Sequence, residues 1–141
     1  MKLAKILSSP DRCGQGHFGV DAKGKLDSGP NAVRYCFNGA LNLLLNERFY
    51  YGTGHYWTEE ERERALEIFD AITDTGAGLG MLSWNDAADR TFEEVHAVAV
   101  EWDRLWGLGP DWRCGLGDPM FSSPKRSFLR RIIAQVRGRN L

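Results

Sequence analysis

A chain of 141 residues, 43% hydrophobic and 26% charged, has the length and composition of one ordinary globular domain, and this excludes a wholly disordered chain. Its net charge of -1 excludes bulk electrostatic attraction to nucleic acid or to a membrane surface. Three widely spaced cysteines, Cys13, Cys36 and Cys114, contain no CxxC pair, which argues against a secreted disulfide framework and for a reducing compartment. The apolar runs at the N-terminus and at Leu41–Leu45 are too short for a signal peptide or a membrane span, so a cytoplasmic protein with no transmembrane segment is expected.

Residues 2–9 predict a short helix through Leu3, Ile6 and Leu7, limited by Pro10. The glycine-rich stretch 13–30 is compatible with a small hairpin, Phe18 and Val20 on one arm and a turn near Ala22–Lys25. A buried central helix is expected from about Asn31, because Val33, Cys36, Phe37, Ala40, Leu41 and Leu44 recur at helical spacing, with Arg34, Asn38, Asn42 and Asn46 as a polar stripe. After an aromatic linker, Thr58 and Glu61 form a capping box that opens a helix with Ala65, Ile68, Phe69 and Ile72 on its apolar face, closed near Gly76. Met81–Asp86 reads as a strand or a buried connection. Thr91 and Glu94 form a second capping box, followed by the stripe Val95, Val98, Ala99, Trp102 and Trp106. Residues 107–123 read as a Gly/Pro-rich loop leading to a basic amphipathic helix over 124–138, with Pro124 at its first position. The fold class expected is mainly α: a compact single domain, residues 1–141, of about four to five helices with a small N-terminal β-hairpin.

Several motifs carry possible chemistry. Gly14-Gln15-Gly16-His17-Phe18-Gly19 spells GxGxxG, but it lacks the preceding strand and following helix that a dinucleotide site needs, and Gly76, Gly78 and Gly80 lack the lysine of a phosphate loop. Cys13, His17, Cys36 and Cys114 could supply zinc ligands, yet no pair has the close spacing of a structural zinc site, so no metal and no cofactor are assigned. Cys36 with His17, oriented by Asp21 or Asn38, is a candidate thiol nucleophile and base, with Cys36 placed in the second helical turn. Asn85, Asp86 and Asp89 sit where turns and caps belong, and Arg90 is positioned to pair with an aspartate. His55 lies in the aromatic loop, and His96 is expected to face solvent. From Pro119 onward there are six basic residues and no acidic one. Arg126, Arg130, Arg131 and Arg137 therefore form a candidate surface for a protein partner or nucleic acid. Trp112 and Trp57, read as loop residues, are candidate interface anchors.

Three segments also carry a resemblance: Asp11-Arg12-Cys13-Gly14-Gln15-Gly16 with Asp21 and Gly24; Tyr35-Cys36-Phe37-Asn38-Gly39-Ala40-Leu41; and Trp84-Asn85-Asp86 through Arg90-Thr91 to Glu94-Val95. Over about residues 2–106 the chain resembles an uncharacterised domain-of-unknown-function family of small actinobacterial and actinophage proteins. The resemblance implies a compact helical domain in a bacterial or phage-infected cytoplasm and transfers no catalytic residue. The functional expectation is a small non-enzymatic binding protein, a phage or mobile-element accessory engaging a host or defence complex. The alternatives are a cysteine enzyme using Cys36 and His17, and nucleic-acid binding through the C-terminal helix.

Overall fold

The computed structural model describes residues 1–27, 29–46, 56–73 and 79–116. The expected Gly76 cap, His55 and the basic helix with Arg126, Arg130, Arg131 and Arg137 lie outside the described residues. The fold is mainly α with one small antiparallel β-ladder, as the sequence predicts.

Helix α1 (Leu3–Ile6) buries Leu3 and Ile6. No local side chain caps it. Its first amides instead reach a carboxylate from the other end of the described chain, Leu3 N–H to Asp103 Oδ1 and Ala4 N–H to Asp103 Oδ2, both 2.9 Å. A 3-10 turn follows at Pro10–Arg12, and Arg12 Nε donates to the Ile6 carbonyl at 3.0 Å.

Strand β1 (Gly19–Val20) pairs antiparallel with β2 (Arg34–Tyr35), Gly19 opposite Tyr35 and Val20 opposite Arg34. The turn near Lys23 and Gly24 forms as expected, organised by Asp21, whose carboxylate accepts from the amides of Lys23 and Lys25 at 2.9 Å. The partner of β1, however, is the segment expected to be the first turn of the central helix. Val33 N–H donates to Val20 O and Cys36 N–H to Phe18 O, so 33–36 is drawn out as a ladder. Val33, counted in the apolar stripe, is exposed.

Helix α2 (Phe37–Leu45) therefore starts six residues later than predicted. It is as buried as expected: Phe37, Ala40, Leu41 and Leu44 all lie in the core. Helix α3 (Glu59–Thr73) begins at the predicted box, with Glu61 N–H on Thr58 Oγ1 at 3.1 Å and Thr58 N–H on Glu61 Oε1 at 3.2 Å. Met81–Asp86 is neither strand nor simple connection, because most of it belongs to helix α4 (Leu79–Asn85). Helix α5 (Phe92–Trp106) has Thr91 as its cap, Glu94 N–H on Thr91 Oγ1 at 3.2 Å, and buries Val95, Val98, Ala99 and Trp102. The stretch read as an irregular loop contains a 3-10 helix at Gly109–Leu116.

The helices share one core. Phe37, Phe69 and Trp84 meet there from α2, α3 and α4, with ring centroids 4.9 to 6.0 Å apart. On the far side, Trp106 stacks on Trp57 at 4.3 Å and on Trp102 at 5.2 Å, and the Arg64 guanidinium lies 4.3 Å from the Trp106 ring. Trp102 Nε1 donates to the Ala65 carbonyl at 3.0 Å, joining α5 to α3. No helix among the described residues is long and apolar enough to cross a membrane.

Candidate functional site

The three motif segments converge on Asn85, which is buried at the end of α4. Its Oδ1 accepts from Phe37 N–H at 3.0 Å, at the start of α2. Its Nδ2 donates to the Gly14 carbonyl at 3.0 Å and to Asp86 Oδ1 at 2.9 Å. Gln15 returns the contact, its Nε2 donating to the carbonyls of Asn85 (2.8 Å) and Ala87 (3.0 Å), and Gly16 N–H donates to Asp86 Oδ1 at 3.1 Å. The GxGxxG stretch is thus a loop clamped onto the end of α4.

Beside this junction opens a cleft of about 310 Å³, with Cys13, Gly14 and Gln15 on one wall, Arg34 on another, and Arg90 and Phe92 on the α5 side. Arg34 Nε donates to the Asp11 carbonyl at 3.2 Å. Arg90 pairs with Glu94 at 2.6 Å, donates from Nε to the Trp84 carbonyl at 2.8 Å, and lies 4.1 Å from the Trp84 ring centroid. The expected aspartate partner of Arg90 is replaced here by Glu94, one helical turn away. Glu94 thus pairs with Arg90, while Thr91 performs its half of the box. Burial pushes the Cys13 thiol up to about 11, against the opposing pull of Arg12 and Arg34, so it is a neutral thiol at physiological pH.

Cys36 is not in the second helical turn. It is the N-cap of α2, and its Sγ accepts from Gly39 N–H at 3.3 Å. Burial raises its pKa, the amides of Gly39 and Asn38 counter that rise, and the Asp86 carboxylate adds to it. Cys36 and exposed His17 do line one cavity, of about 180 Å³, together with Gly16, Phe18 and Asp86. The carboxylate in that cavity is Asp86. Asp21, named as a possible orienter, is committed to its own turn, and Asn38 contributes its backbone amide.

Trp112 is not an exposed anchor: it is buried within the 3-10 helix, with Arg113 over its ring at 4.5 Å. Trp57 is half-buried in the tryptophan stack. His96 is half-buried against Phe92, ring centroids 5.5 Å apart. Cys114 is exposed, and among the described residues no group of three or more His, Cys, Asp or Glu side chains is arranged to hold a metal. Gln15 and Arg34 also line the cleft, and neither carries a sequence signal for that role. Arg34 falls on a helical polar stripe by spacing, and nothing in the spacing shows that Gln15 reaches across to Asn85.

No curated protein and no solved structure matches the chain. A family model described as a family of unknown function, DUF6197, matches residues 2–101. That span contains the Asp11–Gly16, Tyr35–Leu41 and Trp84–Val95 segments that meet around Asn85, and the chain belongs to this family of unknown function.

Proposed function

We propose that this chain is a small non-enzymatic binding protein of a bacterial or phage-infected cytoplasm, an accessory factor that engages a protein complex through its basic C-terminal segment. The observation that supports this reading is what the motif side chains do. Asn85 and Gln15 are spent on backbone groups of neighbouring segments and the Cys36 thiol on capping its own helix, which builds a scaffold. The segment from Pro119 onward, with six basic residues and no acidic one, is then the most one-sided stretch of the sequence in charge. The test is affinity capture with the full chain and with a variant carrying alanine at Arg126, Arg130, Arg131 and Arg137, each with and without nuclease. A protein captured in fixed ratio, retained through nuclease and lost with the variant supports the reading. Capture that disappears with nuclease replaces it with nucleic-acid binding, for which steep salt dependence is required.

A second reading rests on the cavity shared by Cys36, His17 and Asp86, the residue types of a thiol nucleophile, base and orienter. Its requirement is a reactive thiolate. Cys36 that labels in the folded state, faster than a buried thiol and with His17→Ala slowing it, supports a cysteine enzyme. Cys36 that labels only on denaturation removes that reading.

A further inference from the structure

We propose that the cleft between Cys13–Gln15, Arg34 and the start of α5 is a binding site for a small phosphate monoester, its phosphate held by the guanidinium groups of Arg34 and Arg90. This goes beyond the macromolecular contact proposed above and involves none of its residues.

The first argument is charge. Among the described residues, the only ionised side chains lining the cleft are Arg34 and Arg90, and no carboxylate lines it. The chain as a whole carries a net charge of -1, so this local excess does not follow from bulk composition. Two of the nearby acidic groups have other tasks. Glu94 pairs with Arg90 on the α5 side, and Asp86 accepts from Gly16 N–H and Asn85 Nδ2. Arg90 is thereby partly neutralised, and the uncompensated charge rests on Arg34, which makes no ion pair among the described residues. Arg12 stands close enough to act on the same thiol as Arg34 and adds to the positive field.

The second argument is preorganisation. Arg90 is fixed from three directions, by Glu94, by the Trp84 carbonyl and by the Trp84 ring. Arg34 is tethered at Nε to Asp11 O, which leaves its terminal nitrogens to point elsewhere. Gly14 gives the Arg34 side chain its place: a Cβ at residue 14 would stand 3.0 Å from Arg34 Cγ and Cδ. A planar guanidinium grips two oxygens of one group, and two guanidiniums on separate walls call for the three free oxygens of a phosphate, where a carboxylate offers two.

The third argument is size and the character of the rest of the wall. At about 310 Å³ the cleft suits a compact ligand, near the lower end of the roughly 300 to 1,000 Å³ typical of small-molecule sites. Pro10, the neutral Cys13 thiol, Phe92 and Val95 supply apolar surface for the carbon body of the ester.

The test is an amide-resolved NMR titration of the full chain with inorganic phosphate, glycerol 3-phosphate and ribose 5-phosphate, at constant ionic strength, with sodium acetate as control. The expected result is saturable shifts at Gly14, Gln15 and Phe92, tighter binding of a monoester than of inorganic phosphate, and weakening by about tenfold or more in Arg34→Gln. Arg34 is exposed, so Arg34→Gln keeps the fold, which its own amide spectrum verifies. Arg34→Lys, which retains charge without the fork, falls between the two. Shifts that never saturate, shifts spread over the surface, acetate acting as well as phosphate, or an affinity indifferent to Arg34→Gln would each overturn the proposal.

Discussion

A buried asparagine brings four hydrogen-bonding positions into the interior, and Asn85 fills three of them: Phe37 N–H, Gly14 O and Asp86 Oδ1. Removing the amide strands one backbone donor and one backbone acceptor, at about 1–3 kcal/mol for each group left unsatisfied. Asn85→Ala is therefore expected to lower unfolding free energy by about 2–6 kcal/mol in a denaturant titration. A loss below half a kcal/mol would show that the junction is not what holds the motif segments together. Gly39 is constrained in another way. A Cβ there would stand 1.8 Å from the Phe18 carbonyl oxygen, so no side chain fits without moving β1 off the start of α2. Gly39→Ala is expected to cost about 3 kcal/mol or more, at the high end for overpacking because the obstacle is backbone. The cysteines should separate by exposure: Cys114 labels first, half-buried Cys13 with its raised pKa later, and buried Cys36 last.

At the scale of the element, the helix starts differ in where their caps come from. α3 and α5 take theirs from the preceding residues, and Thr91→Ala should cost about 1 kcal/mol by thermal unfolding, the ordinary loss of an N-cap hydroxyl. α1 takes its cap from Asp103, and Asp103→Asn, which keeps one acceptor where two are used, is expected to cost a similar amount, about 1 kcal/mol. Burial lifts the Asp103 carboxyl above the usual 3.8, with the Ala4 and Leu3 amides pulling against it. A raised folded-state pKa means that the folded chain holds this proton more tightly than the unfolded chain. The group's contribution to stability is then complete below pH 3.8 and is lost as pH rises through the raised value. A carboxyl-detected titration of Asp103 with its inflection at or below 3.8 would contradict this.

These same starts mark how much of the fold the residues announce. A cap three residues from its partner is visible as a pattern, which is why α3 and α5 were placed correctly from Thr58-Glu61 and Thr91-Glu94. α2 was begun too early because Val33 falls on the helical period by coincidence while its amide pairs with Val20. α4 was missed because a short helix of mixed residues offers too few turns for a period to show. Trp112 was misjudged because Gly109 and Pro110 suggested a loop, although tight 3-10 turns tolerate both. Of the candidate site, the segments are visible as motifs but their meeting is not. The contacts of Gln15 with Asn85 and Ala87 span 70 and 72 positions, and no local spacing encodes them.

Across the molecule, α5 is the element that others are built on. It caps α1 through Asp103, binds α3 through Trp102, borders the cleft through Phe92 and carries the tryptophan stack through Trp106. Trp102→Phe keeps much of the ring volume but leaves the Ala65 carbonyl without its indole donor. It should destabilise the whole chain by about 1–3 kcal/mol, read as one cooperative transition in which far-UV and tryptophan signals coincide. Separate transitions for the two signals would show that α3 and α5 do not unfold together.

The bond from Leu3 to Asp103 also sets a timetable. The two residues lie 100 positions apart, so a ribosome adding roughly 5–20 residues per second delivers the cap on the order of 5 to 20 s after the helix it serves. Through that interval Leu3, Ile6 and Leu7 have emerged without the α5 surface that later covers them. The apolar face of Leu3–Leu7 thus stays without its cover until α5, one of the last described helices to be made, has followed it.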